Sequence, residues 1–283
     1  MLFRSDGIGG SPQKSTAQEV SKIVRDDLKS SGFLESTEKC QWEPKKIIIW
    51  LGHVLNFENN TISIITERIE SLLQHIRDVL YFGNLARVPV KTIAAIAGKI
   101  CSMFQVFGDL TKLRTRFLHS VIQTRRSWKS SVKLSSGAIS ELIFWLNNVN
   151  CSNRAQWSSR HTQEINIQVY VYGDASQVAY GGRVVNKGVE PVLIHDNWSL
   201  SEGALSSTWR ELKAKALMLL STVPQLEHKA VQWHTDNQSV PLILSRGSMK
   251  LHLHNIALRI WDICRKHVIN LVTVWMQIGR AHV

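Results

Sequence analysis

The sequence contains few cysteines, and these lie far apart. Cys40, Cys101, Cys151 and Cys264 form neither a CxxC pair nor a Cys/His spacing typical of a zinc site. A zinc module built from local motifs is therefore excluded. The wide spacing favours reduced, buried thiols in an intracellular protein.

Long apolar runs are also missing. No segment of the sequence approaches the roughly 20 apolar residues that a membrane-spanning helix requires. Residues 1–7 lack the apolar centre of a signal peptide. We therefore expect no membrane partner and an intracellular location, either cytoplasmic or nuclear.

Acidic residues are scarce relative to basic ones. The 283 residues include 22 Asp and Glu against 34 Lys and Arg, which gives a formal net charge of +12. This balance favours a polyanionic partner, nucleic acid in particular. The segment 87–133 contains ten basic residues and one acidic residue, Asp109. Within this segment we expect phosphate contacts from four arginines: Arg114, Arg116, Arg125 and Arg126.

Three acidic residues stand in separate periodic contexts. Each belongs to a segment whose pattern predicts a regular element: Asp174 just past the alternating strand 165–173, Glu211 in the helical run 207–217, and Asp236 at the end of the strand-like run 230–236. Strand ends of a mixed sheet can gather side chains from distant parts of a chain. Carboxylates gathered in this way repel one another unless hard cations lie between them, and Mg²⁺ prefers carboxylate oxygens.

Three motifs in this order carry a family resemblance. VYVYGDASQVAYGGRVV, SSTWRELKAKAL and VQWHTDNQSV resemble, in type, order and spacing, the ribonuclease H domain of retroelements. The resemblance implies a mixed five-stranded sheet flanked by helices, here over residues 165–277. Further strands are expected at Ala179–Val185, at Pro191–Asp196 and in INLVTVWM. The central helix is expected at Ser207–Ser221, with Thr208 available as its cap.

The resemblance also implies a chemistry. Members of this family hydrolyse the RNA strand of RNA–DNA hybrids with two Mg²⁺ ions, for which Mn²⁺ can substitute. Asp174, Glu211 and Asp236 would be the catalytic metal ligands. By resemblance, Asp174 bridges both ions, Glu211 holds the ion near the leaving 3′ oxygen, and Asp236 holds the ion that activates water. Asn237 and Gln238 are expected to contact the substrate, although they could equally be helix-capping residues.

The N-terminal 65 residues resemble the end of a reverse transcriptase palm. Residues 3–6 are similar to the palm hairpin, in which an aromatic residue and one further residue precede two aspartates, and IIIWLGHVLNFENNTISI resembles the primer grip. Ser5 replaces the first aspartate, which is a metal ligand in the family. Asp6 is therefore interpreted as a polymerase remnant, and the polymerase part is expected to be incomplete and inactive. The alternative is an ordinary turn at Asp6-Gly7.

Residues 66–150 are mainly helical by pattern, with Ser135 or Ser136 as the cap of the last helix. By resemblance this stretch is the thumb and connection, whose basic face would follow a duplex backbone. AGKICS, LSSGAISELIFWLNN and the initial DGIGG look most like the DIRS-like group of tyrosine-recombinase retrotransposons. Gypsy-like elements are the alternative among relatives.

Two segments are expected to lie outside these domains. Residues 151–164 are polar and without a period, which predicts a linker. Residues 278–283 match the translation of a common sequencing-adapter read, and we expect a non-native tail in place of the helix whose aspartate would complete the metal site. His252 and His254 occupy alternate positions and are expected at the surface.

Together these patterns predict a fragment of a retroelement polyprotein with a mixed α+β and α/β fold. It would contain the end of the palm, the helical thumb and connection, and most of a ribonuclease H domain. Its partners would be RNA–DNA hybrid, duplex nucleic acid and the remainder of the polyprotein. The alternative from another class is a catalytically inactive nucleic-acid-binding remnant. An integrase is disfavoured because a thumb-like region precedes the domain and the sequence has no zinc-binding His/Cys module.

Overall fold

The structure of the protein is a computed structural model, and it describes residues 7–36, 40–83, 87–156 and 166–276. The predicted palm hairpin with Ser5 and Asp6 lies outside these residues. The predicted tail at 278–283 does so as well.

The part of the chain before residue 157 contains seven described helices and six described strands. The helices are α1 (Lys14–Ser30), α2 (Thr66–Gly83), α3 (Val90–Cys101), α4 (Phe104–Phe107), α5 (Leu110–Leu113), α6 (Arg116–Gln123) and α7 (Ser136–Asn148). The strands are β1 (Ile47–Trp50), β2 (His53–Asn56), β3 (Thr61–Ile64), β4 (Val88–Pro89), β5 (Ser131–Val132) and β6 (Ala155–Gln156).

Four of these strands form an antiparallel sheet in the order β1-β2-β3-β6. In β6, Ala155 pairs with Ile62, and Gln156 pairs with Thr61. The predicted linker over 151–164 therefore contains one short strand at Ala155–Gln156. A free sheet edge supplies hydrogen-bond partners there, and a local sequence pattern cannot reveal such partners.

Helices α2, α3, α6 and α7 pack around one apolar core, in which Ile76 and Trp145 are almost completely buried. The side chain of Ser135 accepts a hydrogen bond from the N–H of Ala138 and caps α7. The helical character predicted for residues 66–150 is confirmed for the elements that form this core, while β4 and β5 form a short antiparallel pair beside it.

Helix α1 has the apolar stripe that the sequence predicts but leaves it exposed. Val20 and Ile23 are 49% and 53% exposed. The helix is connected to the following segment by polar contacts: the hydroxyl of Ser21 donates to the carbonyl of Trp42 at 2.6 Å, and the Arg25 guanidinium lies over the Trp42 ring. Within the described ranges, no helix combines the length and the apolar character that crossing a membrane would require.

The part of the chain after residue 165 contains five described strands and five described helices. The strands are β7 (Val169–Ala175), β8 (Ala179–Asn186), β9 (Val192–Asn197), β10 (Ala230–Thr235) and β11 (Asn270–Trp275). The helices are α8 (Leu200–Gly203), α9 (Ser207–Ser221), α10 (Val223–Leu226), α11 (Ser239–Arg246) and α12 (Leu251–Lys266).

These five strands form one mixed sheet in the order β9-β8-β7-β10-β11. Strand β8 is antiparallel to both β7 and β9, whereas β10 is parallel to both β7 and β11. The mixed five-stranded sheet implied by the resemblance is therefore confirmed. In such a sheet, the ends of β7 and β10 lie at the same edge because these two strands run in the same direction.

Helix α9 packs on β7 and β8, and α12 packs along α9. Val171 of β7 and Leu212 of α9 are fully buried in the shared core. Gly182 of β8 allows α9 to approach the sheet closely, because a Cβ at this position would overlap the carbonyl oxygen of Tyr172 and the Cε of Met218. The YGG sequence of β8 thus serves the packing of the helix that carries Glu211.

Several local predictions in this part are wrong. Asp174 lies within β7 and pairs with Gly181, because β8 extends the ladder beyond the alternating run. The cap of α9 is Ser206, so Thr208 lies inside the helix. His254 is completely buried rather than at the surface, because α12 packs against the helical part on this side.

All four cysteines are free thiols. Cys264 is buried in the core between α12 and the sheet, but Cys40 and Cys151 are exposed and Cys101 is half-buried. The expectation of buried thiols is therefore correct for Cys264 alone, because the burial of a cysteine depends on the tertiary packing around it and not on its residue type.

Candidate active site

Strand β7 presents Asp174 at the exposed surface of the sheet. The N–H of Ala175 donates to the Oδ1 of Asp174 at 2.7 Å and to the Oε1 of Glu211 at 3.0 Å. One backbone amide thus holds two carboxylates beside each other. The end of β7 is the fixed point on which the site is built.

Helix α9 contributes Glu211 from its second turn, and its packing on β7 directs this side chain toward Ala175. Glu211 is only 7% exposed. The hydroxyl of Thr235 lies 3.4 Å from its Oε2 and donates to it. The carboxylate is therefore enclosed by protein and receives hydrogen bonds from both neighbouring strands.

Strand β10 ends immediately before Asp236, and its parallel pairing with β7 brings this residue to the same edge as Asp174. The Asp236 side chain is exposed. Its backbone carbonyl accepts a hydrogen bond from the indole Nε1 of Trp275 at 3.0 Å. The backbone around the third carboxylate is thus fixed by the neighbouring strand β11.

The three carboxylates form one cluster. Ligand oxygens of Asp174, Glu211 and Asp236 all lie within 4.8 Å of one another. Burial, followed by the contact with Asp174 and the charge of Asp236, raises the pKa of Glu211 to about 8. The protein alone therefore compensates this negative charge poorly. A set of close, hard oxygen donors with two exposed members fits a divalent cation such as Mg²⁺ or Mn²⁺.

Asn237 connects the starts of two helices. Its Oδ1 accepts a hydrogen bond from the N–H of Ser239 at 3.0 Å, and its Nδ2 donates to the Oγ1 of Thr208 at 3.4 Å. The structure thus supports the capping alternative for this residue. Gln238 is exposed at the N-cap of α11. Substrate contact by either residue stays a prediction.

Arg114 lies in a seam between the helical part and the five-stranded part. It is only 8% exposed. Its Nη2 lies 2.6 Å from Oδ1 of Asp262, and its guanidinium lies 4.3 Å from the ring centroid of Phe144. Asp262 of α12 and Phe144 of α7 therefore enclose most of the Arg114 side chain, and its predicted contact with nucleic acid stays a prediction.

The other three predicted arginines remain at the surface to different extents. Arg126 is exposed, whereas Arg116 and Arg125 are half-buried. The Arg125 guanidinium lies over the half-exposed ring of Trp128 at 4.2 Å from its centroid. A cation beside an accessible aromatic ring suits contact with phosphates and bases. Nucleic-acid binding by these residues stays a prediction.

Two residues near the cluster were missed by sequence reasoning. Lys215 lies one turn after Glu211 in α9 and is fully buried, and burial lowers its pKa well below the ordinary value for lysine. The helical spacing places Lys215 on the apolar face of α9, and this unusual position could have identified it from the sequence. Trp275 gave no such signal, because its partner is a backbone carbonyl more than thirty residues away in the chain.

Comparisons with known proteins give fold-level similarities only. No protein-family model matches the chain, and no curated protein matches it. Among solved structures, a foamy viral protease-reverse transcriptase in complex with RNA/DNA hybrid is 14% identical, with a TM-score of 0.42, over 96% of this chain and 34% of that chain. The same viral protein, in a structure designated dRH with ds DNA, is 13% identical, with a TM-score of 0.42, over 96% and 45% of the two chains.

A ribonuclease H1 from the halophilic archaeon Halobacterium salinarum NRC-1 is similar to a smaller portion. It is 16% identical over 40% of this chain and 86% of that chain, with a TM-score of 0.33. The chain spans less than half the length of the two viral chains described above. Because every TM-score here is below 0.5, these similarities support no argument about function. An argument about function rests on the geometry of the carboxylate cluster instead.

Proposed function

We propose that this chain is part of a retroelement reverse transcriptase, and that its C-terminal half is a ribonuclease H that hydrolyses the RNA strand of RNA–DNA hybrids. One observation carries the proposal: Asp174, Glu211 and Asp236 bring ligand oxygens within 4.8 Å of one another. They do so from β7, α9 and the end of β10 of a mixed sheet, in the order of the three family motifs.

The proposed cofactor is Mg²⁺, with Mn²⁺ as a substitute, held by Asp174, Glu211 and Asp236. When bound, the metal supplies an activated water near neutral pH and neutralises the charge that develops on the phosphate. The chain's own contribution is placement: the Ala175 N–H fixes two of the carboxylates, and burial keeps Glu211 from adopting other rotamers. An imprecise ligand set would lower the rate of an in-line hydrolysis.

The proposed substrate contacts extend from the cluster to the helical part. Arg125 and Arg126 supply positive charge beside the half-exposed Trp128, and Arg116 is the first residue of α6, the short helix that precedes them. Such groups bind the sugar-phosphate backbone and tolerate any sequence. Recognition of a hybrid by its shape and 2′-hydroxyls follows from the same backbone contacts.

The finer origin is also part of the proposal. The AGKICS and LSSGAISELIFWLNN motifs support a DIRS-like retrotransposon, with the palm remnant before residue 66 and the thumb and connection at 66–150. The rest of the polyprotein would be its natural partner. Because Ser5 stands where the family has a metal-binding aspartate, we propose that this chain does not polymerise DNA.

Cleavage of an end-labelled RNA–DNA hybrid tests the proposal. The purified chain should cut the RNA strand slowly with Mg²⁺ or Mn²⁺, since its described cluster has three carboxylates where the family has four, and EDTA should stop cleavage. Asp174→Asn and Asp236→Asn should each reduce the rate by at least about a hundredfold, since each removes a fixed ligand. Asp196→Asn is the matched control, because Asp196 is an exposed aspartate of the same sheet that does not belong to the cluster.

Three results distinguish the possibilities. Equal cleavage by the parent and Asp174→Asn would mean that the carboxylates are not the catalytic ligands. Hybrid binding by the parent without any metal-dependent cleavage would support the alternative, a catalytically inactive nucleic-acid-binding remnant. Cleavage of single-stranded RNA at the same rate as the hybrid would contradict the assigned substrate class.

A further inference from the structure

Strand β11 lies at the edge of the five-stranded sheet, and one of its faces contacts the elements that carry the carboxylates. Leu271, Thr273 and Trp275 share this face, because alternate residues of a strand point to the same side. Leu271 packs against the core, Thr273 accepts a hydrogen bond from α9, and Trp275 donates one to the residue that follows β10. The edge strand thus connects two of the three segments that build the cluster.

The backbone at Asp236 is held by Trp275, the last residue of β11, and by Met276, which follows it. The indole N–H of Trp275 donates to the carbonyl of Asp236 at 3.0 Å, and the N–H of Met276 donates to the carbonyl of Thr235 at 2.8 Å. On the other side, the N–H of Asn237 donates to the hydroxyl of Thr235 at 3.3 Å. These contacts restrict rotation about the peptide units that flank Asp236, and therefore restrict where its carboxylate can lie.

The position of β11 is itself fixed by a buried contact to α9. Lys215 is 1% exposed, and its Nζ donates to the Oγ1 of Thr273 at 2.7 Å. The same amine lies 4.9 Å from the ring centroid of Trp233 in β10. Because Lys215 is one helical turn after Glu211, this hydrogen bond fixes the position of β11 relative to α9, the helix that carries Glu211.

We propose that Trp275 is a positioning residue for the carboxylate cluster: its indole N–H fixes Asp236 in the orientation in which it binds a divalent cation together with Asp174 and Glu211. The inference rests on the proposed function, because it assigns a role in that same site. Residues that orient metal ligands commonly change metal affinity by one to two orders of magnitude when they are altered. Trp275 does so through the main chain, without touching the ion.

The test compares two tryptophan-to-phenylalanine variants of the full chain. Trp275→Phe removes the N–H that reaches Asp236 and keeps an aromatic ring. Trp261→Phe is the matched control, since the Trp261 indole also donates to a backbone carbonyl, that of Leu244 at 2.7 Å, in the same part of the protein but on a residue outside the cluster. Mn²⁺ affinity is measured without nucleic acid, from the electron paramagnetic resonance signal of the free ion.

We expect Trp275→Phe to bind Mn²⁺ about tenfold more weakly than the parent, and Trp261→Phe to bind it within about twofold of the parent. In the cleavage assay, Trp275→Phe should need a correspondingly higher Mg²⁺ concentration for half-maximal rate, and its KM for the hybrid should stay unchanged. Thermal unfolding of both variants reports their stability separately from their Mn²⁺ affinity, so a general loss of structure in Trp275→Phe would be visible as a lower unfolding temperature.

Other outcomes overturn the inference in distinguishable ways. If the parent binds Mn²⁺ and cleaves but Trp275→Phe has the parent's Mn²⁺ affinity, the positioning role is wrong and the proposed function stands. If Trp261→Phe loses as much Mn²⁺ affinity as Trp275→Phe, the effect is one of general stability and the role is likewise wrong. If the parent neither binds Mn²⁺ nor cleaves the hybrid, the proposed function and the inference both fail.

Discussion

Acidification is expected to destabilise this protein through one buried histidine, His254 of α12. Its ring is completely buried and meets Phe117 of α6 edge to face, with 4.9 Å between the centroids. The N–H of Ser248 approaches its Nδ1 at 3.4 Å. Burial, and then the charges of Arg116 and Arg114, lower the pKa of His254 to about 4 from 6.5.

The sign and size of the effect follow from this difference. Because the folded pKa of His254 is below the unfolded one, the unfolded chain binds the proton more tightly. The contribution to stability is complete above about pH 6.5 and is lost as the pH falls through the folded pKa of about 4. At about 1.4 kcal/mol for each pKa unit, the full loss is about 3 kcal/mol, of which about 2 kcal/mol is reached at pH 5.

Urea unfolding of the parent, His254→Leu and His252→Leu at about pH 7.5 and pH 5 measures this contribution. His252 is the control because it is exposed on the same helix. The parent and His252→Leu should each lose about 2 kcal/mol more than His254→Leu between the two pH values. All other titrating groups are shared by the three proteins and cancel in the comparison. If His254→Leu loses as much stability as the parent, His254 is not the group responsible.

Arg114→Met should lower the free energy of unfolding by about 2 kcal/mol in a urea titration, because it removes a charged hydrogen bond and a cation–π contact from the seam. Arg126→Met should leave the free energy of unfolding unchanged. Equal free energies of unfolding for the two variants would refute the role of Arg114 in the seam. Changing Arg125 and Arg126 together to Glu should weaken hybrid binding and flatten its salt dependence in fluorescence anisotropy; an unchanged affinity would remove this surface from the proposal. Gly182→Ala should lower the free energy of unfolding by about 1–3 kcal/mol, since its Cβ would overlap main-chain and Met218 atoms. Gly98→Ala should leave the free energy of unfolding unchanged, because a Cβ at this position has open space around it. Two equally stable variants would mean that α9 does not need its close approach to the sheet.

Much of the fold could be predicted from the sequence because it depends on local periodicity. The alternation before Asp174 and the 3.6-residue spacing around Glu211 are properties of neighbouring residues, so they predict β7 and α9 without any knowledge of the fold. The ends of these elements were less accurate: the cap of α9 is Ser206 rather than Thr208, because several hydroxyl residues stand together and only the backbone path selects one.

The candidate site was predictable in its carboxylates and not in its supports. Asp174, Glu211 and Asp236 were found because their order and motifs are written along the chain, and the sheet brings them within 4.8 Å as parallel β7 and β10 end at one edge. The support of Asp236 by Trp275 depends instead on how β11 pairs with β10, which is a contact between segments far apart in sequence.

The exposure of the basic residues is a property that the sequence alone left undecided. Arg114 belongs to the same basic run as Arg126, and nothing local separates them. The tertiary structure encloses Arg114 between Asp262 and Phe144, whereas it leaves Arg126 exposed. The sequence by itself determined the existence of β7 and α9 and which three acids can meet. Only the packing of α12 against the helical part decided that Arg114 is enclosed, because burial and pairing are properties of distant surfaces that the chain brings together when it folds.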